Sequence, residues 1–443
     1  MTLAENPFLM GNYGPVPDET TAFDLDVDGA LPAELNGRYL RIGPNPYAPP
    51  DGPYHWFLGD GMVHGVELDG GKANWYRNRW VRTAGITGAR GERAVGGPAQ
   101  PMYDASNTHV IGHAGRILSL TEGAVPYELS PELDTIERYD FGGPLKTGFT
   151  AHPKVDPVTG ELHGFAYWWA EPYLTYHRIG ADGRLVRSVP ITVPGPTMIH
   201  DFSVTRDHVV FYDLPVVFDL ERLPFPFRWD DDYGARVGVM PRDGDDADVK
   251  WFDVEPCYVF HPMNAYDDGD NIVLDVVRHP TMFKHSNIGP NDNQVPTLDR
   301  WTVDLNAGKV REERIDDRGQ EFPRVNETLA MSKHRYGYTV EAVNRGNAFN
   351  RARILKHDVD RGVTDAHDFG GGNMPSEFVF VPREGGRAED DGWLMGYVYD
   401  AARDVSDLVV LDAGDVTAAA VATVHLPRRV PFGFHGSWVP DPQ

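Results

Sequence analysis

The chain has 443 residues, 41% hydrophobic and 11% aromatic, and its 24% charged fraction is that of an ordinary globular protein, which excludes wholesale disorder. With 66 acidic against 41 basic side chains the formal net charge is −25, a surface that repels nucleic-acid phosphate and excludes nucleic acid as a general partner. A single cysteine, Cys257, allows no intrachain disulfide, and no uncharged apolar run reaches the ~18 residues of a membrane span. The opening "MTLAENPFLMGNYGPV" lacks the basic and apolar regions of a signal peptide. The expectation is a cytoplasmic protein.

In chain order, the short β-branched or aromatic runs are "GRILSLTEG", "HVVFYDLPVVFDL", "NIVLDVV", "YGYTVEAV", "EFVFVPR", "GWLMGYVYD" and "DLVVLDA". Each is bounded by turn residues and reads as a strand. The turns "PVTGEL", "GADGRL", "YDDGDN", "DLNAGKV" and "LDAGDV" read as hairpin connections. Segments with helical period are nearly absent, and a short helix is expected only near Ala89–Val95. Gly (47) and Pro (36) are spread evenly, so no linker divides the chain, and residues 1–443 are expected to form one domain. Many antiparallel strands without a break predict a propeller, and seven blades would use roughly 63 residues each.

Of the 17 histidines, four stand apart: His152 in "GFTAHPKVDP", His200 in "TMIHDFSV", His261 in "YVFHPMNAY" and His435 in "FGFHGSW". Each follows apolar or small residues and opens onto Pro, Asp or Gly, as expected at the inner end of a strand before a turn. The first two steps between them are about one blade long and the last leaves room for about three. Of the remaining histidines, His208, His334, His357 and His425 lie in turn and strand-end contexts, and His279 reads as a surface or hydrogen-bonded core residue. An all-imidazole site suits Fe, Zn, Cu or Ni. Each ligating imidazole needs its other N–H anchored, commonly by a carboxylate; Glu122, Glu321 and Glu377 lie beside hydrophobic strands and are the candidates. Spacing by itself leaves this cluster open against unrelated imidazoles and surface carboxylates.

The segments "LNGRYLRIGPNP", "HWFLGDGMVHGVEL", "LTEG", "FTAHPKVDPVTGEL", "MIHDFSVT", "VFHPMNAYDDGD", "EFPRVN", "PSEFVFVPR" and "FHGSW" together resemble the carotenoid cleavage oxygenase family from about Asn12 to the C-terminus. The resemblance implies an all-β fold, a seven-bladed β-propeller with a loop and short-helix cap over an axial metal site. It implies one Fe(2+) per chain on His152, His200, His261 and His435, with Glu122, Glu321 and Glu377 holding three of them and His152 lacking such a partner. Thr108 matches a threonine whose methyl group crowds one open coordination position, leaving one for O2. By family position, Phe57, Phe283 and Phe434 are expected at a tunnel wall near the iron, and Gly436 is expected to let the backbone turn beside it. The implied reaction is dioxygenation of a conjugated C=C bond to two carbonyl products, with no nucleophile.

The expected substrate is an apocarotenoid or carotenoid, with stilbenes or related phenylpropenes as the alternative. Stilbene cleavers of the family typically carry a lysine where this chain has Thr121. The aromatic loops Leu214–Trp229, Tyr167–Tyr173 and His279–Phe283 read either as core or as an apolar entrance resting on a membrane surface. No protein partner is evident in the sequence. A propeller organised around calcium would need carboxylate and carbonyl oxygens, which the nitrogen-rich cluster does not supply. A non-catalytic scaffold would leave the four histidines unrelated and without metal.

Overall fold

The computed structural model describes residues 6–50, 52–101, 103–285, 294–344 and 349–442. One compact unit comprises Met1–Phe149, Ala352–Ile354 and Asp365–Gln443, and the other Thr150–Arg351 and Leu355–Thr364.

The first unit holds three sheets. One orders Thr21–Phe23, Lys72–Trp80, Gly61–Asp69, Gly37–Pro44 and Gly436–Pro440; a second orders His109–His113, Arg116–Leu120, Tyr127–Leu129 and Thr135–Arg138. The third runs Val27–Gly29, Ala422–His425, Val405–Asp412, Gly392–Asp400 and Met374–Pro375, with Val379–Pro382 also on Gly392–Asp400. Chain ends meet twice here. Gly436–Pro440 lies antiparallel to Gly37–Pro44, and Val27–Gly29 lies antiparallel to Ala422–His425.

The second unit holds three four-stranded meanders: Lys154–Val155 through Leu185–Ile191, Phe202–Val204 through Lys250–Asp253, and Tyr258–Asp268 through Lys309–Asp316. The ribbon Val216–Phe218 with Phe227–Trp229 interrupts the second of them. A further sheet orders Gln320–Arg324, Tyr336–Asn344, Phe349–Asp358 and Val363–Asp368. These seven sheets are the blades of a seven-bladed β-propeller.

Burial within each meander explains the composition of its strands. Leu162–Tyr167 is buried throughout and Leu174–Ile179 nearly so, whereas the last strand, Leu185–Ile191, alternates between exposed and half-buried positions before its end. Lys309–Asp316, again a last strand, is charged along its length ("KVREERID") and has no buried residue. Inner strands packed on both faces read as continuous apolar runs, and charge on the outer strand guards an open edge against pairing with another chain. The core of the first unit includes Tyr39, Val66, Tyr76, Met395, Tyr397 and Leu408, with Tyr39 and Tyr397 edge to face at 4.9 Å.

The quoted runs all fall on strands. The helix expected near Ala89–Val95 lies earlier: Ala84–Arg90 is the α-helix among the described residues. Thr83 caps its start, its hydroxyl accepting from the Ile86 N–H at 3.4 Å, and Gly91 ends it at φ 65°. His334 and His357, expected at turns and strand ends, are buried at 2% and 1% exposure.

His425 ties the first strands to the last blade. Its Nδ1 lies 3.0 Å from Asp407 and its Nε2 3.0 Å from Asp28. Partial burial by itself would lower its pKa, but the two aspartates hold it above the ordinary value. The pair therefore stabilises the fold fully below about pH 6.5, the unfolded value, and loses that contribution as pH rises through the folded value. Chemical unfolding should show a stability gap between wild type and His425→Gln at pH 5.5 that shrinks at pH 8.5; a constant gap would remove the imidazolium from this role.

Candidate functional site

Three of the four histidines sit just before an edge strand of a sheet rather than at a strand's far end. His152 precedes Lys154–Val155, His200 precedes Phe202–Val204, and His435 precedes Gly436–Pro440; His261 lies within Tyr258–Asp268. The sequence pattern suggested strand ends because the apolar residues before each histidine look like strand, but before His152, His200 and His435 those residues are buried connections. His261 is carried by a disturbed register: Val259 pairs with Arg278 and Pro262 with Val276, so Phe260 and His261 occupy a bulge. Such an extra residue re-aims side chains beside a site.

In the second unit the rings of His152 and His200 lie 4.4 Å apart, those of His152 and His261 5.0 Å, and those of His200 and His261 5.2 Å. Phe260 stands edge-on to His200 at 4.9 Å, and Phe322 stacks on His261 at 5.7 Å. His152, His200, His261 and His435 are all buried, and each offers a ring nitrogen within 4.8 Å of the others. An uncharged, nitrogen-only donor set at this spacing fits a divalent transition metal.

Glu321 belongs to Gln320–Arg324, where the register also shifts between Glu321 and Arg324. Its Oε2 accepts from His261 Nδ1 at 2.6 Å and from the Phe322 N–H at 2.6 Å, while Oε1 accepts from His279 Nε2 at 2.8 Å. Burial alone would raise this carboxyl, but the His261 and His279 contacts hold it well below the usual carboxylate range. Because Nδ1 of His261 donates to a carboxylate, its Nε2 is left with the lone pair a metal needs.

In the first unit Glu377 does the same for His435. Oε1 accepts from His435 Nδ1 at 2.9 Å and Oε2 from the Gly436 N–H at 2.9 Å. The tail is pinned by backbone: the His435 N–H donates to Thr108 O at 3.0 Å, and the Phe434 N–H to Ile42 O at 3.0 Å. Gly436 is needed for close approach rather than for a turn, since a Cβ there would lie 2.2 Å from Leu40 O.

His152 has a different neighbour. Its Nδ1 is 3.7 Å from Asp201 Oδ2, beyond hydrogen-bond reach, and Asp201 is engaged by Lys154 at 2.8 Å and the Phe202 N–H at 2.6 Å. Glu122 follows Arg116–Leu120 and is half-buried. Thr108 is buried, its hydroxyl 2.9 Å from Asn107 Oδ1 and 3.1 Å from the Thr121 hydroxyl. Phe57 and Phe434 meet edge to face at 5.5 Å, and Trp56 lies on Phe434 at 4.5 Å. Phe283 packs with Phe225 at 4.8 Å and Phe260 at 6.3 Å.

A second acid–imidazole group, Asp156, Glu161 and His163, holds a guanidinium instead. Arg242 reaches Asp156 at 2.7 Å, Glu161 at 3.1 Å and His163 Nε2 at 2.7 Å. The sequence left His279 open between a surface and a hydrogen-bonded core residue; it is the latter, but its link to Glu321 was not read. One signal was available: His279–Pro280 repeats the His-Pro pair of His152–Pro153 and His261–Pro262.

A model of the retinal pigment epithelial membrane protein family matches residues 13–440. The carotenoid cleavage oxygenase of Mycobacterium tuberculosis is 46% identical, covering 99% of this chain and 98% of its own. The carotenoid 9,10(9',10')-cleavage dioxygenase of Crocus sativus is 35% identical, covering 98% of this chain and 89% of its own. Among solved structures, the lignostilbene dioxygenase of Pseudomonas brassicacearum superposes with a TM-score of 0.88 at 31% identity, over 98% of this chain and 99% of that one. The propeller and the buried imidazoles thus come with whole-length likeness, and the chain belongs to the carotenoid cleavage oxygenase family.

Proposed function

We propose that this protein is a non-haem Fe(2+) dioxygenase that cleaves a conjugated C=C bond of an apocarotenoid or carotenoid. The observation that carries the proposal is the buried set His152, His200, His261 and His435, whose ring nitrogens lie within 4.8 Å of one another. These four would hold the iron, and Glu321 and Glu377 keep His261 and His435 in the tautomer that presents Nε2. Glu122 is assigned the corresponding role from its family position. When bound, ferrous iron activates O2, both of whose atoms end in the two carbonyl products.

The chain's own contribution is orientation and exclusion of water. Thr108, fixed through Asn107 and Thr121, would place its methyl group beside one coordination position. The aromatic pairs Phe57–Phe434 and Phe225–Phe283 supply apolar walls for a conjugated chain, and no proton transfer is required of a side chain.

A second reading, cleavage of stilbenes or related phenylpropenes, is favoured by the likeness to a lignostilbene dioxygenase. Against it stands Thr121, which is buried and bonded to Thr108 and Asn107, so a phenol at this position would find no ammonium partner. Among the described residues no helix is long and apolar enough to cross a membrane. A peripheral contact is supported by Leu220 and Leu223, 51% and 71% exposed between the ribbon strands Val216–Phe218 and Phe227–Trp229. The assigned setting is the cytoplasm, in keeping with one buried cysteine.

Iron-loaded protein given apo-8′-carotenal in air should yield two carbonyl products identified by mass, and none anaerobically. Products from resveratrol alone would establish the second reading, and product without O2 would overturn the dioxygenase. Glu377→Gln should weaken iron affinity roughly 10–100-fold in chelator competition; unchanged affinity would remove Glu377 from its role. Leu220→Ser with Leu223→Ser should lower co-sedimentation with neutral phosphatidylcholine vesicles while leaving thermal unfolding unchanged, and equal co-sedimentation would exclude this loop as the contact.

A further inference from the structure

His279 is almost wholly buried, at 1% exposure, closing the strand Asn271–His279 that pairs with the one carrying His261. Its Nε2 points at Oε1 of Glu321, 2.8 Å away, while the other oxygen of the same carboxylate accepts from His261 at 2.6 Å. One buried carboxylate therefore bridges two imidazoles from adjacent strands. Facing a carboxylate, Nε2 of His279 must carry the proton. Phe260, edge-on to His279 at 5.4 Å and 86°, keeps the ring from turning away.

A carboxylate has two oxygens and one rotatable plane. Were Oε1 left without a donor in this water-poor setting, the Glu321 carboxylate would turn toward whatever donor remained. That rotation alters how Oε2 meets His261. The Phe322 N–H, 2.6 Å from Oε2, fixes only the oxygen already engaged, so it cannot substitute on the Oε1 side. We propose that His279 is a positioning residue for the metal cluster: it locks the Glu321 carboxylate plane from behind and so sets the orientation and donor strength of His261. The inference rests on the reading of His261 as a metal ligand.

Cobalt(II), added to metal-free full-length protein, serves as the probe, with affinity read by chelator competition and ligand field by its visible d–d bands. His279→Leu should bind cobalt about 10-fold more weakly with shifted bands, in the range usual for outer partners of a metal ligand. His279→Gln, whose amide nitrogen can reach the position of Nε2, should restore most of the affinity. His279→Asn, one bond shorter, should not, and carries the test if the leucine variant fails to fold. In a Glu321→Gln background the His279→Leu change should cost less than twofold, because a residue acting through Glu321 has nothing left to act on. Wild-type cobalt binding in both His279→Leu and His279→Asn, equal loss in Asn and Gln variants, or full additivity with Glu321→Gln would overturn the proposal. His261→Ala separates the two levels. If it binds cobalt as wild type does, the ligand reading fails; if it loses cobalt while the His279 variants do not, only the positioning role fails.

Discussion

Glu321 and Glu377 are withdrawn from water, at 3% and 2% exposure, and a carboxylate so placed stays ionised only where donors replace its hydration. The effective cost of burying such an ion is several kcal/mol, and a hydrogen bond to a charged group returns about 1.5–3 kcal/mol. One donor does not close that gap, whereas two or three do. Glu321 collects His261, His279 and the Phe322 N–H; Glu377 collects His435 and the Gly436 N–H. The same bonds settle the tautomer of each imidazole, so the condition for a stable buried carboxylate and that for a metal-ready Nε2 are met by one arrangement.

That arrangement constrains the backbone more than the side chains. Residue 322, whose N–H reaches its own neighbour's carboxylate, adopts φ 55°, a conformation rare for a phenylalanine, within a strand whose register slips at that point. His261 likewise sits in a bulge. Two of the register shifts in these blades thus fall at residues that face the cluster, as expected where strain is stored at functional sites. His435 is placed differently. It stands ahead of a strand held by the N-terminal segment Gly37–Arg41, so its position depends on the chain closing on itself.

Much of this was legible in the sequence, for definite reasons. Apolar runs broken by Gly, Pro, Asn and Asp mark strands because inner strands of a blade are buried on both faces. His152, His200, His261 and His435 stood out only as contexts, and the family resemblance was needed to join them. What could not be read was register. No periodicity shows that His261 falls in a bulge or that Gly436 serves an approach to Leu40. His279 escaped notice because its partner, Glu321, lies 42 positions away in the chain. His334 and His357 do stand at or beside strand ends, but their burial could not be read from polar neighbours in sequence.

The imidazoles are not held alike. His261 is fixed by Glu321 and His435 by Glu377. Asp201, beside His152, spends itself on Lys154 and the Phe202 N–H and stands 3.7 Å from the ring, while the His152 backbone N–H bonds Thr150 Oγ1 at 2.9 Å. Lys154 matters to this difference. By pairing with Asp201 it offsets a buried negative charge beside the His152 ring. The chain thus orients His261 and His435 through carboxylates, while the carboxylate beside His152 is engaged by a lysine. A cluster made only of nitrogen donors can offer lone pairs to an ion only from neutral rings.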